Sequence, residues 1–163
     1  MNPQGRRFAI VVSRWNDFLT DKLLAGALDA LAGLGVEENS IEVFKVPGSF
    51  ELPLASLKAA ESGRFDAVVA LGVVIRGETA HFDLVAGEAA KGIAAAALKT
   101  GVPVMFGVVT TENVEQAINR CGVKAGNKGF EAALSAVEMI SVCQAIGSGT
   151  GSSPENKAFP HAV

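Results

Sequence analysis

Cysteine is scarce. Two residues, Cys121 and Cys143, are too few for a disulfide framework. No C-x-x-C pair and no His/Cys cluster accompanies them, so the chain offers no metal site of the zinc kind. Both thiols read as reduced, buried and inert, as expected of a cytoplasmic protein. Histidine is equally rare: His81 and His161 are the whole supply, and His161 falls in the last residues of the chain. Charge of one sign is also lacking. The net charge is −3, and the basic residues form no stripe, which excludes nucleic acid as an expected partner. Long apolar runs are missing too. The run after Arg7 is too short for a secretory segment, and Ile93 to Leu98 is far too short to cross a bilayer. Nucleotide fingerprints fail as well: there is no Walker A pattern, and no G-x-G-x-x-G lies between a strand and a helix.

What is present is a chain of 163 residues, 49% of them hydrophobic, enough for one domain with a proper core. Four short runs rich in Val and Ile are apolar on both faces, as buried parallel strands require. They are Phe8–Ser13, Ile41–Val46, Ala67–Ile75 and Val104–Val109. Helical spacing fills the intervals: Phe18–Leu34, Leu54–Glu61, Phe82–Lys99, Asn113–Arg120 and Lys128 to about Ala145. Asn16 or Asp17 caps the first helix and Gly35 closes it. The alternation implies right-handed crossovers and a parallel sheet with helices on both faces. The expected fold is α/β, a three-layer α/β/α sandwich of the flavodoxin-like kind with a four-stranded parallel sheet. One domain spans 1–146, and the Gly/Ser-rich stretch 147–163 is expected to be a flexible tail. Gly87, Ala90, Ile93, Ala94 and Ala97 would let a second helix approach the third closely, which points to a subunit interface.

In open parallel sheets, ligands bind beyond the carboxyl ends of the strands. The unusual residues of this chain gather there: Ser13-Arg14-Trp15-Asn16-Asp17 after the first strand, Val46-Pro47-Gly48-Ser49-Phe50-Glu51 after the second, Ile75-Arg76-Gly77-Glu78-Thr79-Ala80-His81-Phe82 after the third, and Thr110-Thr111-Glu112-Asn113 after the fourth. Gly77 and Thr79 lead into a helix start, where free N–H groups and the helix dipole favour an anion; an ordinary helix cap has the same look. His81 sits beside that turn, where its neutral form is favoured and it can accept a proton. Trp15 either stacks on a flat heterocycle or staples the first helix. Glu51 either binds a polyol or complements a helix dipole. Arg120 suits a helix C-terminus without further purpose, whereas Lys128 opens a helix, a poor place for a cation, and so calls for a partner. Cys121 could act as a nucleophile with His81, but no third group orients the pair.

Taken together, Arg14-Trp15-Asn16, Val46 to Glu51, Val74 to Thr79, His81-Phe82-Asp83, Phe106 to Asn113 and Ala125-Gly126-Asn127-Lys128-Gly129 resemble the lumazine synthase family, in order and spacing, from about residue 8 to 145. The resemblance implies an enzyme that condenses 5-amino-6-(D-ribitylamino)uracil with 3,4-dihydroxy-2-butanone 4-phosphate, needing no cofactor and no metal. It implies that Trp15 stacks on the pyrimidine and that Ser49, Phe50 and Glu51 hold the ribityl chain and ring edge. Val73, Val74 and Ile75 would line the uracil, and Gly77, Glu78 and Thr79 would cradle the phosphate. His81 would transfer protons. From a neighbouring subunit, Phe106 would cover the ring, Arg120 would bind phosphate and Lys128 would reach the pyrimidine. The implied partners are small-molecule substrates and further copies of the chain: a homopentamer with interfacial sites, which in this family extends to a decamer or a sixty-subunit shell. Neither nucleic acid nor membrane is implied. The alternative on the same scaffold is a non-catalytic flavin- or lumazine-binding or shell-forming protein. Three departures from the family pattern stand out. The stretch before the first strand is short, Ala80 replaces the commoner Pro or Thr, and the tail from Gly147 has no counterpart.

Overall fold

The computed structural model describes residues 3–123 and 126–151. Its strands are β1 (Phe8–Ser13), β2 (Ile41–Val46), β3 (Ala67–Ile75) and β4 (Val104–Thr111), all parallel, in the order β2-β1-β3-β4. Its helices are α1 (Asp17–Gly33), α2 (Leu52–Glu61), α3 (His81–Thr100), α4 (Val114–Arg120) and α5 (Lys128–Ser148). Short 3-10 turns, Glu38–Ser40 and Ser49–Glu51, lead into β2 and α2.

The central strands are apolar on both faces because each face is covered. Phe8, Ile10, Val12, Val69 and Leu71 pack under α1 and α5, while Ala9, Val11, Val68 and Ala70 pack under α2 and α3. Leu19, Leu23 and Leu31 are fully buried along α1, each worth roughly 1.5–3 kcal/mol relative to exposure. The edge strand β2 is half-exposed throughout.

Helices α1 and α5 approach closely enough to require glycine on both. A methyl group on Gly129 of α5 would stand 2.0 Å from the carbonyl oxygen of Leu23 in α1, and one on Gly26 would meet the Asn127 side chain at 2.4 Å. Asn127 is the pin of this crossing. Its Oδ1 accepts from the N–H groups of Gly129 and Phe130 at 2.8 and 3.1 Å, and its Nδ2 donates to the Lys22 carbonyl at 2.9 Å. One residue thus caps α5 and joins it to α1.

Several boundaries differ from the sequence expectation. β4 continues through Thr110 and Thr111, which pair with Val74 and Ile75 of β3. α2 begins at Leu52, with Pro53 in the first turn where its missing N–H costs nothing. Gly147 and Ser148, expected in the tail, complete α5, which closes on Gly149 in the left-handed region (φ 66). The expected tail from residue 152 lies outside the described residues. α5 is long and apolar enough to cross a membrane, with a mean hydropathy of 1.3 over its best window. Here its Ala132, Ala133, Ala136, Val137 and Ile140 are buried in the core it shares with α1 and the sheet. On α3, Ile93 is turned into the chain's own core, so it does not belong to an outward stripe; Ala90, Ala94 and Leu98 are exposed. Cys121 is buried as expected, but Cys143 is exposed on α5.

Candidate active site

The chain leaves β1 for β2 on one side and reaches β3 on the other, so the strand order reverses between β1 and β3. A crevice opens at such a point. Here it is a cleft of about 570 Å³, lined by the loop after β1 (Trp15, Asn16), the loop and turn after β2 (Pro47 to Glu51), the end of β3 with its turn (Val73, Val74, Ile75, Gly77, Thr79) and the start of α3 (His81, Phe82, Leu84, Val85).

Each wall has a local cause. Asn16 adopts φ 60, ψ 43, the left-handed region that asparagine tolerates better than most residues. Its side chain does not cap α1; Nδ2 donates instead to the Val73 carbonyl at 3.1 Å. That bond reaches β3 beyond the end of its pairing with β1, which stops at Leu71. Strand alternation turns the amide and carbonyl of Ile75 to the same side as those of Val73, so the backbone edge of β3 faces the cleft. Trp15, 69% exposed, stands at the mouth beside Gly48: a methyl on Gly48 would lie 3.9 Å from its ring. Glu51 Oε2 accepts from the Gly48 N–H at 2.9 Å and so holds the β2 loop folded back on itself. Beneath it, Ser49 is buried over Gly72, where a methyl would stand 2.5 Å from its Oγ. Ser13, buried under the same floor, has no hydrogen-bond partner for its Oγ among the described residues.

The fourth wall is the turn between β3 and α3. Thr79 Oγ1 accepts a long bond, 3.4 Å, from the His81 N–H, so its hydroxyl serves the helix start as an ordinary cap would. Arg76, just before the turn, forms a bidentate pair with Asp83 at 3.0 Å on both arms, and its Nε meets Glu112 Oε2 at 2.8 Å. Its guanidinium lies 4.1 Å over the Phe82 ring. The hydrogen bonds from Arg76 hold the Asp83 carboxyl below its usual range, and Asp83 in turn raises the guanidinium.

Of the residues singled out in the sequence, the fold brings Trp15, Ser49, Phe50, Glu51, Val73, Val74, Ile75, Gly77, Thr79 and His81 to one cleft. Glu78, Phe106, Arg120 and Lys128 do not line it. Phe106 is 45% exposed on the outer strand β4, and Arg120 ends α4. The partner that Lys128 required is Glu131, one helical turn on, at 2.5 Å. Cys121 also stands apart from the cleft, and burial pushes its thiol up to about 11, which disposes of a Cys121–His81 nucleophile. Sequence reasoning missed Leu84 and Val85. With His81 they occupy i, i+3 and i+4 of α3, a shared face legible from spacing alone.

A parallel α/β sandwich with an open, mostly apolar cleft at its switch point, one indole at the mouth and a histidine on the wall, has the form of a small-molecule enzyme's site. The profile of the 6,7-dimethyl-8-ribityllumazine synthase family matches residues 5–144. Proteins named 6,7-dimethyl-8-ribityllumazine synthase from Desulfatibacillum aliphaticivorans and from Chlorobium phaeovibrioides (strain DSM 265 / 1930) are 54% and 57% identical to it, over 144 and 143 residues. These alignments cover 88% of this chain in both cases, and 93% and 92% of the relatives. A relative of the same name from Chlorobium luteolum (strain DSM 273 / BCRC 81028 / 2530) is 55% identical over 142 residues, 87% of this chain and 92% of its own. The chain belongs to the 6,7-dimethyl-8-ribityllumazine synthase family.

Proposed function

We propose that the protein is a transferase that condenses 5-amino-6-(D-ribitylamino)uracil with 3,4-dihydroxy-2-butanone 4-phosphate, giving 6,7-dimethyl-8-ribityllumazine with release of phosphate and water. The observation that carries this reading is the cleft itself. One wall bears an exposed indole, the floor a backbone edge at Ile75, and the opposite wall a histidine beside a glycine-containing turn at a helix start.

Trp15 stacks on the pyrimidine, whose edge is read by the backbone beside Val73, Val74 and Ile75. Ser49, Phe50 and Glu51 hold the ribityl chain; Glu51 keeps one oxygen on Gly48 and has the other for a hydroxyl. The turn Gly77-Glu78-Thr79 receives the phosphate, aided by the N-terminal dipole of α3. The ring amine adds to the ketone and expels water to form an imine. Phosphate is then eliminated, and after tautomerisation the second amine closes the ring with loss of a second water. Each step needs a placed proton donor or acceptor more than a strong nucleophile, and His81 supplies it.

Phe106, Arg120 and Lys128 complete the site from a neighbouring copy, in keeping with their places outside the chain's own cleft. On the family pattern the copies form a homopentamer with interfacial sites, a unit from which a decamer or a sixty-subunit shell can be built. A cytoplasmic location accords with its two free thiols.

The test mixes purified protein with both substrates and follows lumazine fluorescence and phosphate release together. Both signals rising faster than in a protein-free control support the enzyme. A folded oligomer that binds lumazine or flavin without turnover would overturn it in favour of a binding or shell-forming role.

A further inference from the structure

We propose that Arg76 is a positioning residue: by gripping both ends of the turn Gly77–Ala80 it sets where the turn's amides and the His81 side chain meet the substrate. The inference rests on the reading of the cleft given above and adds to it a residue that does not line the cleft.

The turn has little else to hold it. Its residues are exposed, and a methyl on Gly77 would meet nothing within 4 Å. Inside it are the long Thr79–His81 bond and the bond from the Asp83 N–H to the Ala80 carbonyl at 3.2 Å. Arg76 supplies the missing restraint from several directions. Its own N–H donates to the Thr111 carbonyl at 2.8 Å, fastening the end of β3 to β4. Its fork takes both oxygens of Asp83 in the first turn of α3, its flat face lies on Phe82, and its Nε holds Glu112 after β4. The last residue before the turn is thereby joined to the second and third residues of the helix after it.

A single exposed ion pair is worth little. A planar guanidinium with a two-pronged partner, a second carboxylate at its Nε and a stacked ring is a different object, because the fork fixes orientation as well as distance. Lysine carries the charge but cannot form the fork or the flat stack. The Asp83 carboxyl, held below its usual range, stays ionised throughout the neutral region and keeps the fork closed there.

The experiment compares the full-length wild type with Arg76→Gln, Arg76→Lys and Asp83→Asn, which opens the same fork from its other end should an Arg76 variant fail to fold. Hydrogen exchange at the bonded amides that flank the turn, those of Arg76, His81, Asp83 and Leu84, reads the grip without reference to activity. It should accelerate about 10-fold or more in all variants, while the amides of α1 and α5 keep their protection. In the synthase assay, the KM for the butanone phosphate should rise about 5- to 20-fold, with the KM for the pyrimidine within about twofold. Unchanged exchange at these amides overturns the proposal, and so does a lysine variant that behaves as wild type. Faster exchange with both KM values unmoved, or moved together, overturns it as well. A wild type without turnover would sink the synthase reading instead, and the exchange data would still decide whether Arg76 grips the turn.

Discussion

Asn16 and Val73 are joined by a 3.1 Å hydrogen bond, side-chain amide to backbone carbonyl, across the floor of the cleft. Asn16 is the one non-glycine residue at positive φ among the described residues. The bond and the backbone conformation come together, because the turn that aims Nδ2 at β3 is the turn that lifts Trp15 to the mouth. Asn16→Ala should lose about 1–2 kcal/mol, the sum of a missing hydrogen bond and a left-handed residue with no local compensation. Asn16→Gly should recover the backbone part and fall between the two. Urea unfolding of the three proteins ranks them; an alanine variant as stable as wild type would show that the bond contributes nothing.

Removing His81 tests the chemistry. On the proposed mechanism His81→Ala slows turnover by about 10²-fold, the low end for a lost general acid or base. Stopped-flow fluorescence under saturating substrates measures it, and an unchanged rate takes His81 out of the proton transfer.

The crossing of α1 and α5 has no slack. Gly129→Ala places a methyl against the Leu23 carbonyl, and overpacking of that kind costs about 1–3 kcal/mol, occasionally more. Gly147 lies in the same helix, and a methyl there meets nothing within 4 Å. Gly147→Ala should therefore stabilise the protein by about 0.5–1 kcal/mol. Thermal melts of the pair should move in opposite directions; parallel shifts would contradict the close approach.

Cys121 should resist alkylation in the folded protein at pH 8 and react once the chain is denatured, as peptide mapping after iodoacetamide would show. Its folded value of about 11 lies above the ordinary 9.0 because burial disfavours the thiolate. The contribution to stability is therefore complete below pH 9 and is lost as pH rises towards 11. Ready labelling at pH 8 without unfolding would show that the thiol is not buried.

The layers were legible because parallel strands covered on both faces must be apolar, and β1, β3 and β4 largely are; β2, read as buried, is instead a half-exposed edge carrying Glu42 and Lys45, recognised by its length and its Val and Ile. Thr110 and Thr111 escaped because their hydroxyls end the apolar run while the ladder to Val74 and Ile75 continues. Cys143 escaped for the opposite reason: α5 is apolar nearly all round, so periodicity does not say which side faces out. Lys128 looked unsatisfied because only the helix dipole was weighed, although Glu131 stands three residues away in plain view. For the cleft, the rule that ligands gather at strand ends selects the loops after β1, β2 and β3, which line it, and also the loop after β4, Thr110 to Asn113, which does not. It says nothing of how a loop is held, and the multiple contacts of Arg76 follow from a three-dimensional meeting of β3, α3 and the loop after β4.

Trp15, Glu51 and His81 are brought to one cleft by strands whose order in space is not their order along the chain. The unfolded polymer has no remnant of such a site, so whatever occupies the cleft acts as a removable cross-link between distant parts of the backbone. Saturation at about 100 times Kd should therefore add about 2.7 kcal/mol to the whole fold by mass action. Affinity for the ligand and resistance to heat become two readings of one equilibrium.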